Sequence, residues 1–216
     1  MALPFKPLAS LAPQFTIARC TPADVPQLWD VYSAACLGTR FCYFWPASLE
    51  AMARWTDLRF RQRFQDPTDQ EFKVVDNENG GRIAGFARWM VPEAMDQTMG
   101  KGFRTYSEAE SGLPEGIDIP EMAEGGAGAC LEEFLRACQG FGRQGRGLST
   151  ALLQPMLDLA DQLGVTAYLE ALENAVPVYE KLGFKKVDEL IYDESKTGLE
   201  GVRRIDIMLR EPRATS

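Results

Sequence analysis

The chain of 216 residues contains no histidine. That absence removes Ser-His-Asp and Cys-His catalysis, H-E-x-x-H metal sites and every zinc site that relies on imidazole. An enzyme built from this sequence must work with carboxylates, Tyr, Lys, Cys, backbone amides or a cofactor, and no metal is expected. C-x-x-C pairs are missing as well. The five cysteines, Cys20, Cys36, Cys42, Cys130 and Cys138, are odd in number, which favours free thiols in an intracellular, cytoplasmic protein over a disulfide framework. No stretch approaches the ~20 apolar residues of a membrane-spanning helix. Pro4, Pro7 and Pro13 interrupt the opening segment before it could form a signal-peptide core. A soluble protein with no membrane partner is the expectation. A basic excess is also lacking: 23 Lys and Arg against 31 Asp and Glu leave a net charge of −8. That balance argues against a nucleic-acid partner and leans towards cationic ones, such as a small amine or a basic peptide.

What the sequence does have is apolar residues, 45% of the chain, enough for the core of one domain over residues 15–210. Residues 1–14 read as an N-terminal extension and 211–216 as a tail. Phe15-Thr16-Ile17-Ala18-Arg19 alternates as a strand. Thr21 is a helix N-cap with Pro22 at the first helical position, and Val25, Leu28, Trp29 and Tyr32 recur at helical spacing. A second helix over 49–64 places Leu49, Ala53, Phe60 and Phe64 on one side. Its Arg54, Arg59, Arg61 and Arg63 read as a solvated face. Two β-prone runs, 72–75 and 82–91, flank the turn residues Asn77 to Gly81 and predict an antiparallel hairpin. Residues 93–128, rich in Gly, Glu, Met and Pro, form a long excursion that is either a cover over a site or a solvated loop. Beyond it, Leu148, Leu152, Met156, Leu159 and Leu163 make a helical stripe closed by Gly164, with Pro155 expected to bend that helix or to sit where a partner amide is absent. A strand over 165–170, a short helix over 177–182 capped by Gly183, and strands over 184–192 and 203–209 complete a mixed α/β (α+β) pattern.

The most informative stretch opens the third helix. Gly142-Arg143-Gln144-Gly145-Arg146-Gly147 leads into Leu148-Ser149. The first N–H groups of a helix lack intrahelical acceptors and the helix dipole adds positive potential, so such a turn is an anion site. Gly145 and Gly147 would let backbone approach phosphate oxygens, while Arg143, Arg146 and the Ser149 hydroxyl could add charge-assisted bonds. No Lys-Ser or Lys-Thr follows the glycines, so this is not a Walker loop. Gly140-x-Gly142-x-x-Gly145 also matches the dinucleotide string, with Glu170 as its one ribose candidate. A glycine-rich helix start without a ligand is the plainer alternative.

Gln144-Gly145-Arg146-Gly147-Leu148-Ser149 resembles the Q/R-x-x-G-x-G/A signature of the GNAT acetyltransferases. Three further blocks are similar to that family in the same order: Ile83 to Trp89 to its central hairpin (fungal members especially), Ala167 to Ala171 to the strand after the phosphate helix, and Pro177-Val178-Tyr179-Glu180-Lys181-Leu182-Gly183-Phe184 to its P-x-Y-x-K-x-G-F helix. The resemblance implies a GNAT fold, a central mixed, mostly antiparallel sheet flanked by helices. It implies acetyl-CoA as co-substrate, with its pyrophosphate on the segment formed by Gln144, Gly145, Arg146, Gly147, Leu148 and Ser149 beside Arg143. It also implies an N-acetyltransferase acting on a small-molecule or peptide amine, with Tyr179 near the thiol sulfur as proton donor. The sequence departs from the family over 130–143, where the usual turn before the signature Gln is absent. Leu131, Phe134, Leu135 and Cys138 fit helical spacing, whereas the family has a strand there. On a strand, one of Glu132 and Glu133 would face the cleft as general base; otherwise the pair is a solvated acidic step. The departure motivates one alternative, a GNAT-like protein that binds acyl-CoA or performs other biosynthetic chemistry without acetyl transfer; a second, of a different class, is a nonenzymatic adaptor using the fold for protein contacts.

Overall fold

The computed structural model describes residues 3–36, 49–66, 68–92, 147–193 and 201–214. In chain order the elements are β1 (Phe15–Arg19), α1 (Val25–Cys36), α2 (Leu49–Gln65), β2 (Asp69–Asp76), β3 (Arg82–Met90), α3 (Leu148–Leu163), β4 (Ala167–Leu172), α4 (Val176–Lys181), β5 (Lys185–Asp193) and β6 (Val202–Arg210). A 3-10 turn, Pro22–Asp24, runs directly into α1. It starts where Thr21 predicts. The Thr21 backbone N–H and hydroxyl both donate to Asp24 Oδ2, at 2.7 and 2.8 Å, fixing the entry angle of the helix.

The described strands form two three-stranded antiparallel sheets, in the orders β1-β2-β3 and β4-β6-β5. The expected central sheet is therefore present in two described parts, and the segment 130–143, assigned by the family resemblance to a strand, lies outside the described residues. In the predicted hairpin, Gly80 and Gly81 take the left-handed φ values of +64° and +73° that the reversal needs. Strand β2 starts at Asp69, three residues before the apolar run that suggested it, because Asp69, Gln70 and Glu71 pair with β3 although they are polar.

One apolar cluster ties the two sheets together. Leu148, Leu152 and Met156 of α3 pack with Phe15, Phe72 and Val74 of the first sheet and with Leu169, Ala171 and Met208 of the second. Pro155 is buried within α3, and the helix continues through it to Leu163. A second cluster on the opposite face of the first sheet joins Val25, Leu28 and Val31 of α1 and Phe60 and Phe64 of α2 to Ile83 and Phe86 of β3. Arg63 is not part of a solvated face: it is buried, with its guanidinium 5.4 Å from the centre of the Phe60 ring. Its long aliphatic stem and cation–π contact let it share the apolar side of α2. The stretch expected as an extension also contributes to the core. Leu3, Phe5, Leu11 and Ala12 pack on the shared cluster, with the Phe5 ring edge-on to Phe72 at 4.9 Å.

Candidate functional site

Gly147 is the N-cap of α3, in the left-handed conformation (φ 72°, ψ 12°). Among the described residues, its chain neighbours and the helix's own nearby backbone aside, no heavy atom lies within 4 Å of the position a Cβ would take. The first intrahelical bond at this end runs from Ala151 N–H to Gly147 C=O at 2.9 Å. The N–H groups of Leu148, Ser149 and Thr150 precede it and point along the helix axis at the positive end of the dipole. Leu148 is buried and anchors the turn to the core, while Gly147 is exposed and Ser149 half-buried. Contact from Leu148 to an anion would therefore come through its amide, and contact from Ser149 through amide and hydroxyl. Arg143, Gln144, Gly145 and Arg146 lie outside the described residues, as do the candidate bases Glu132 and Glu133.

The far end of α3 is closed by Gly164. In α4, Tyr179 is completely buried, its ring edge-on to Phe184 at 5.8 Å. The Tyr179 carbonyl accepts from the Leu182 and Phe184 N–H groups, each at 3.0 Å. Gly183, with φ 95°, makes that double turn possible, and a Cβ there would collide with the Arg213 guanidinium.

Two charged residues that the sequence reading passed over hold this end. Asp161, in the last turn of α3, accepts from Arg210 Nη1 and Nη2 at 2.8 and 2.7 Å and from the Arg213 N–H at 2.8 Å. Arg210 is 1% exposed and also donates from Nε to the Leu182 carbonyl at 3.0 Å. The hydrogen bond from Arg210 holds the Asp161 carboxyl below its ordinary pKa, and the Arg213 N–H acts in the same direction against the opposing effect of burial. A sequence signal existed: an acid in the last turn opposes the helix dipole and so implies a cationic partner. Among the described residues no group of three or more His, Cys, Asp or Glu could hold a metal ion, and no helix is long and apolar enough to cross a membrane.

Residues 142–198, which include α3, β4, α4 and β5, match the family model of the acetyltransferase (GNAT) domain. No curated protein matches the chain in sequence. Among solved structures, the chain resembles an acetyltransferase from Corynebacterium glutamicum described as histone acetyltransferase HPA2 and related, with 18% identity, TM-score 0.58, and 94% of this chain and 99% of that one covered. It also resembles the ribosomal-protein-S18-alanine N-acetyltransferase of Escherichia coli, with 18% identity, TM-score 0.52, and coverage of 94% and 96%. A chimera of the Vibrio cholerae spermidine N-acetyltransferase SpeG and hSSAT matches with 15% identity, TM-score 0.51, and coverage of 92% and 95%. At these identities the likeness is one of fold.

Proposed function

We propose that this chain, a GNAT-superfamily protein by its matched domain and its fold, transfers an acetyl group from acetyl-CoA to a primary amine of a small molecule or peptide. The observation that carries the reading is the glycine-capped start of α3. The N–H groups of a first helical turn, which have no intrahelical acceptor, fit a pyrophosphate. The amides of Gly145, Arg146, Gly147, Leu148 and Ser149 would hold it, with Gln144 in the same turn and the Arg143 and Arg146 guanidinium groups neutralising its charge. Acetyl-CoA supplies an activated thioester when bound.

The chain's own groups then have three tasks: to polarise the carbonyl, to take a proton from the amine and to give one to the departing sulfur. Tyr179, on the helix next to α3, is assigned the last. Glu132 or Glu133, or water ordered by one of them, is assigned the second. The named acceptors of two structural neighbours, a ribosomal-protein alanine and spermidine, are both amines, and the net charge of −8 suits a cationic acceptor. One observation favours a second reading, acyl-CoA binding without transfer: Tyr179 is completely buried against Phe184, and a proton donor must touch the atom it protonates.

Calorimetric titration with coenzyme A and thiol release across a panel of amines separate these readings. Binding with amine-dependent thiol release establishes the transferase. Binding with no release for any amine establishes the binder, and absence of binding removes both.

A further inference from the structure

The last turn of α3 and the end of α4 are joined by the buried Arg210. Beside it is the exposed Arg213, whose N–H donates to Asp161 Oδ1 at 2.8 Å and whose Nη2 reaches the Leu182 carbonyl at 3.4 Å. Arg210 grips Asp161 in the last turn of α3 with two parallel hydrogen bonds and donates from Nε to the carbonyl of Leu182 at the end of α4. Leu182 N–H in turn donates to the Tyr179 carbonyl at 3.0 Å. We propose that Arg210 is a positioning residue for acyl transfer, setting Tyr179 relative to the phosphates held at the opposite end of α3. The inference rests on the reading of Tyr179 as proton donor.

The guanidinium is the group this task requires. Its planar fork satisfies both carboxylate oxygens of Asp161 while Nε, in the same plane, is aimed at a third acceptor. A lysine ammonium offers a point charge and cannot fix the two partners in one geometry. The bridge matters because α3 is a rigid lever. Its sixteen residues span about 24 Å at ~1.5 Å per residue, so a small rotation at the Asp161 end displaces groups at the Gly147 end. Misplacement of reacting groups by ~1 Å is enough to cost about 100-fold in rate.

Arg210→Lys and Asp161→Asn test the bridge, with Arg88→Lys as a control. Arg88 makes a comparable two-bonded pair with Asp69, at 2.7 and 2.6 Å, in the other sheet. For both test variants, hydrogen exchange at the Leu182 and Phe184 amides is expected to rise on the order of tenfold while β2 amides keep their protection. Their kcat is expected to fall about 10- to 100-fold with coenzyme A affinity unchanged. Arg88→Lys should leave exchange at Leu182 and Phe184, and kcat, where they were. Unaltered exchange, an equal loss of kcat in Arg88→Lys, or a loss carried by coenzyme A affinity alone overturns the proposal. If Arg210→Lys does not fold, Asp161→Asn decides by the same readouts, since it keeps the shape and one acceptor oxygen. An active wild type with unaltered kcat in the variants removes the positioning role alone; a wild type that binds coenzyme A but releases no thiol removes the transfer reading and this role with it.

Discussion

The two described sheets are buried in different ways. The sheet β1-β2-β3 has an apolar cluster on each face, and eight buried polar or charged residues belong to it or to its flanking helices and turns: Arg19, Asp24, Thr56, Arg63, Asp69, Gln70, Glu71 and Asp76. The sheet β4-β6-β5 packs one face on α3 and, among the described residues, leaves Tyr168, Val187, Ile191 and Val202 more than half exposed. Among the described residues its one buried charge is Arg210. Burying a polar group without a partner costs several kcal/mol, so each region must supply partners. The first does so in parallel: Asp69 with Arg88, Arg19 with Gln70 and over the Phe72 ring, Asp24 with Lys73 and Thr21. The second gathers its pairing around Arg210, which bonds Asp161 and the Leu182 carbonyl, while Asp161 also accepts from the Arg213 N–H. Pairing spread over several separate residues tolerates change better than pairing gathered around one arginine. That arginine lies in the half that carries the matched acetyltransferase domain.

The sharpest way to break this contrast is through the tyrosines, one buried in each region. Tyr179→Phe keeps the ring against Phe184 and removes the hydroxyl, so acetyl-CoA binding should persist while kcat falls about 100- to 10,000-fold, the usual contribution of a general acid. Tyr32→Phe in α1, equally buried, should leave kcat unchanged. A pH–rate profile of Tyr179→Phe that retains full activity and an unmoved alkaline limb would exclude Tyr179 as the acid.

Next in size is the unequal cost of losing a cation. Arg210→Met leaves the Asp161 carboxylate with only the Arg213 N–H, and should destabilise the fold by about 3 kcal/mol in urea unfolding. Lys73→Met also strands an aspartate, but Asp24 keeps the Thr21 N–H and hydroxyl as donors, so about 1 kcal/mol is expected. Equal losses would erase the distinction between spread and gathered pairing.

Gly147→Asp has a smaller effect on stability and a specific one on binding. The positive φ at Gly147 costs a side chain about 1 kcal/mol, although there is space for it. The added carboxylate would repel phosphate, so coenzyme A affinity should drop on the order of tenfold or more. Gly80→Asp, at the similar φ of +64° in the hairpin of the first region, should match the stability loss and leave affinity alone. Calorimetry on both variants separates backbone strain from anion binding.

The smallest expected effect is a pH dependence. Because the folded-state pKa of Asp161 is lowered by its bond from Arg210, its contribution to stability is fully present above the unfolded value of about 3.9. It is lost as pH falls through the folded value. The stability difference between wild type and Asp161→Asn should therefore hold steady near neutrality and narrow below about pH 4. A difference that stayed constant down to strongly acidic pH would show that the carboxylate charge plays no part in the clasp.

The alternations and caps along the chain were enough to determine most of its elements. Thr21 with Pro22, the glycines of the hairpin, the leucine stripe closed by Gly164 and the turn at Gly183 act within a few residues of themselves, so local sequence carries their meaning. The glycine N-cap of α3 was legible for the same reason, since a glycine before a helix takes its left-handed φ without a distant partner. Pairing at long range was not legible. Asp69-Gln70-Glu71 carries no apolar pattern, and only the fold brings Arg19 and Arg88 from other strands to meet Gln70 and Asp69. Arg63 reads as surface until it lies over Phe60 in a helix face closed by the sheet. Asp161 and Arg210, 49 residues apart in the chain, become one unit only when α3, α4 and β6 pack together. A charged residue is cheap in water and costly in a core, so whether it is surface or clasp depends on which opposite charge the fold brings within 3 Å. That choice belongs to tertiary structure.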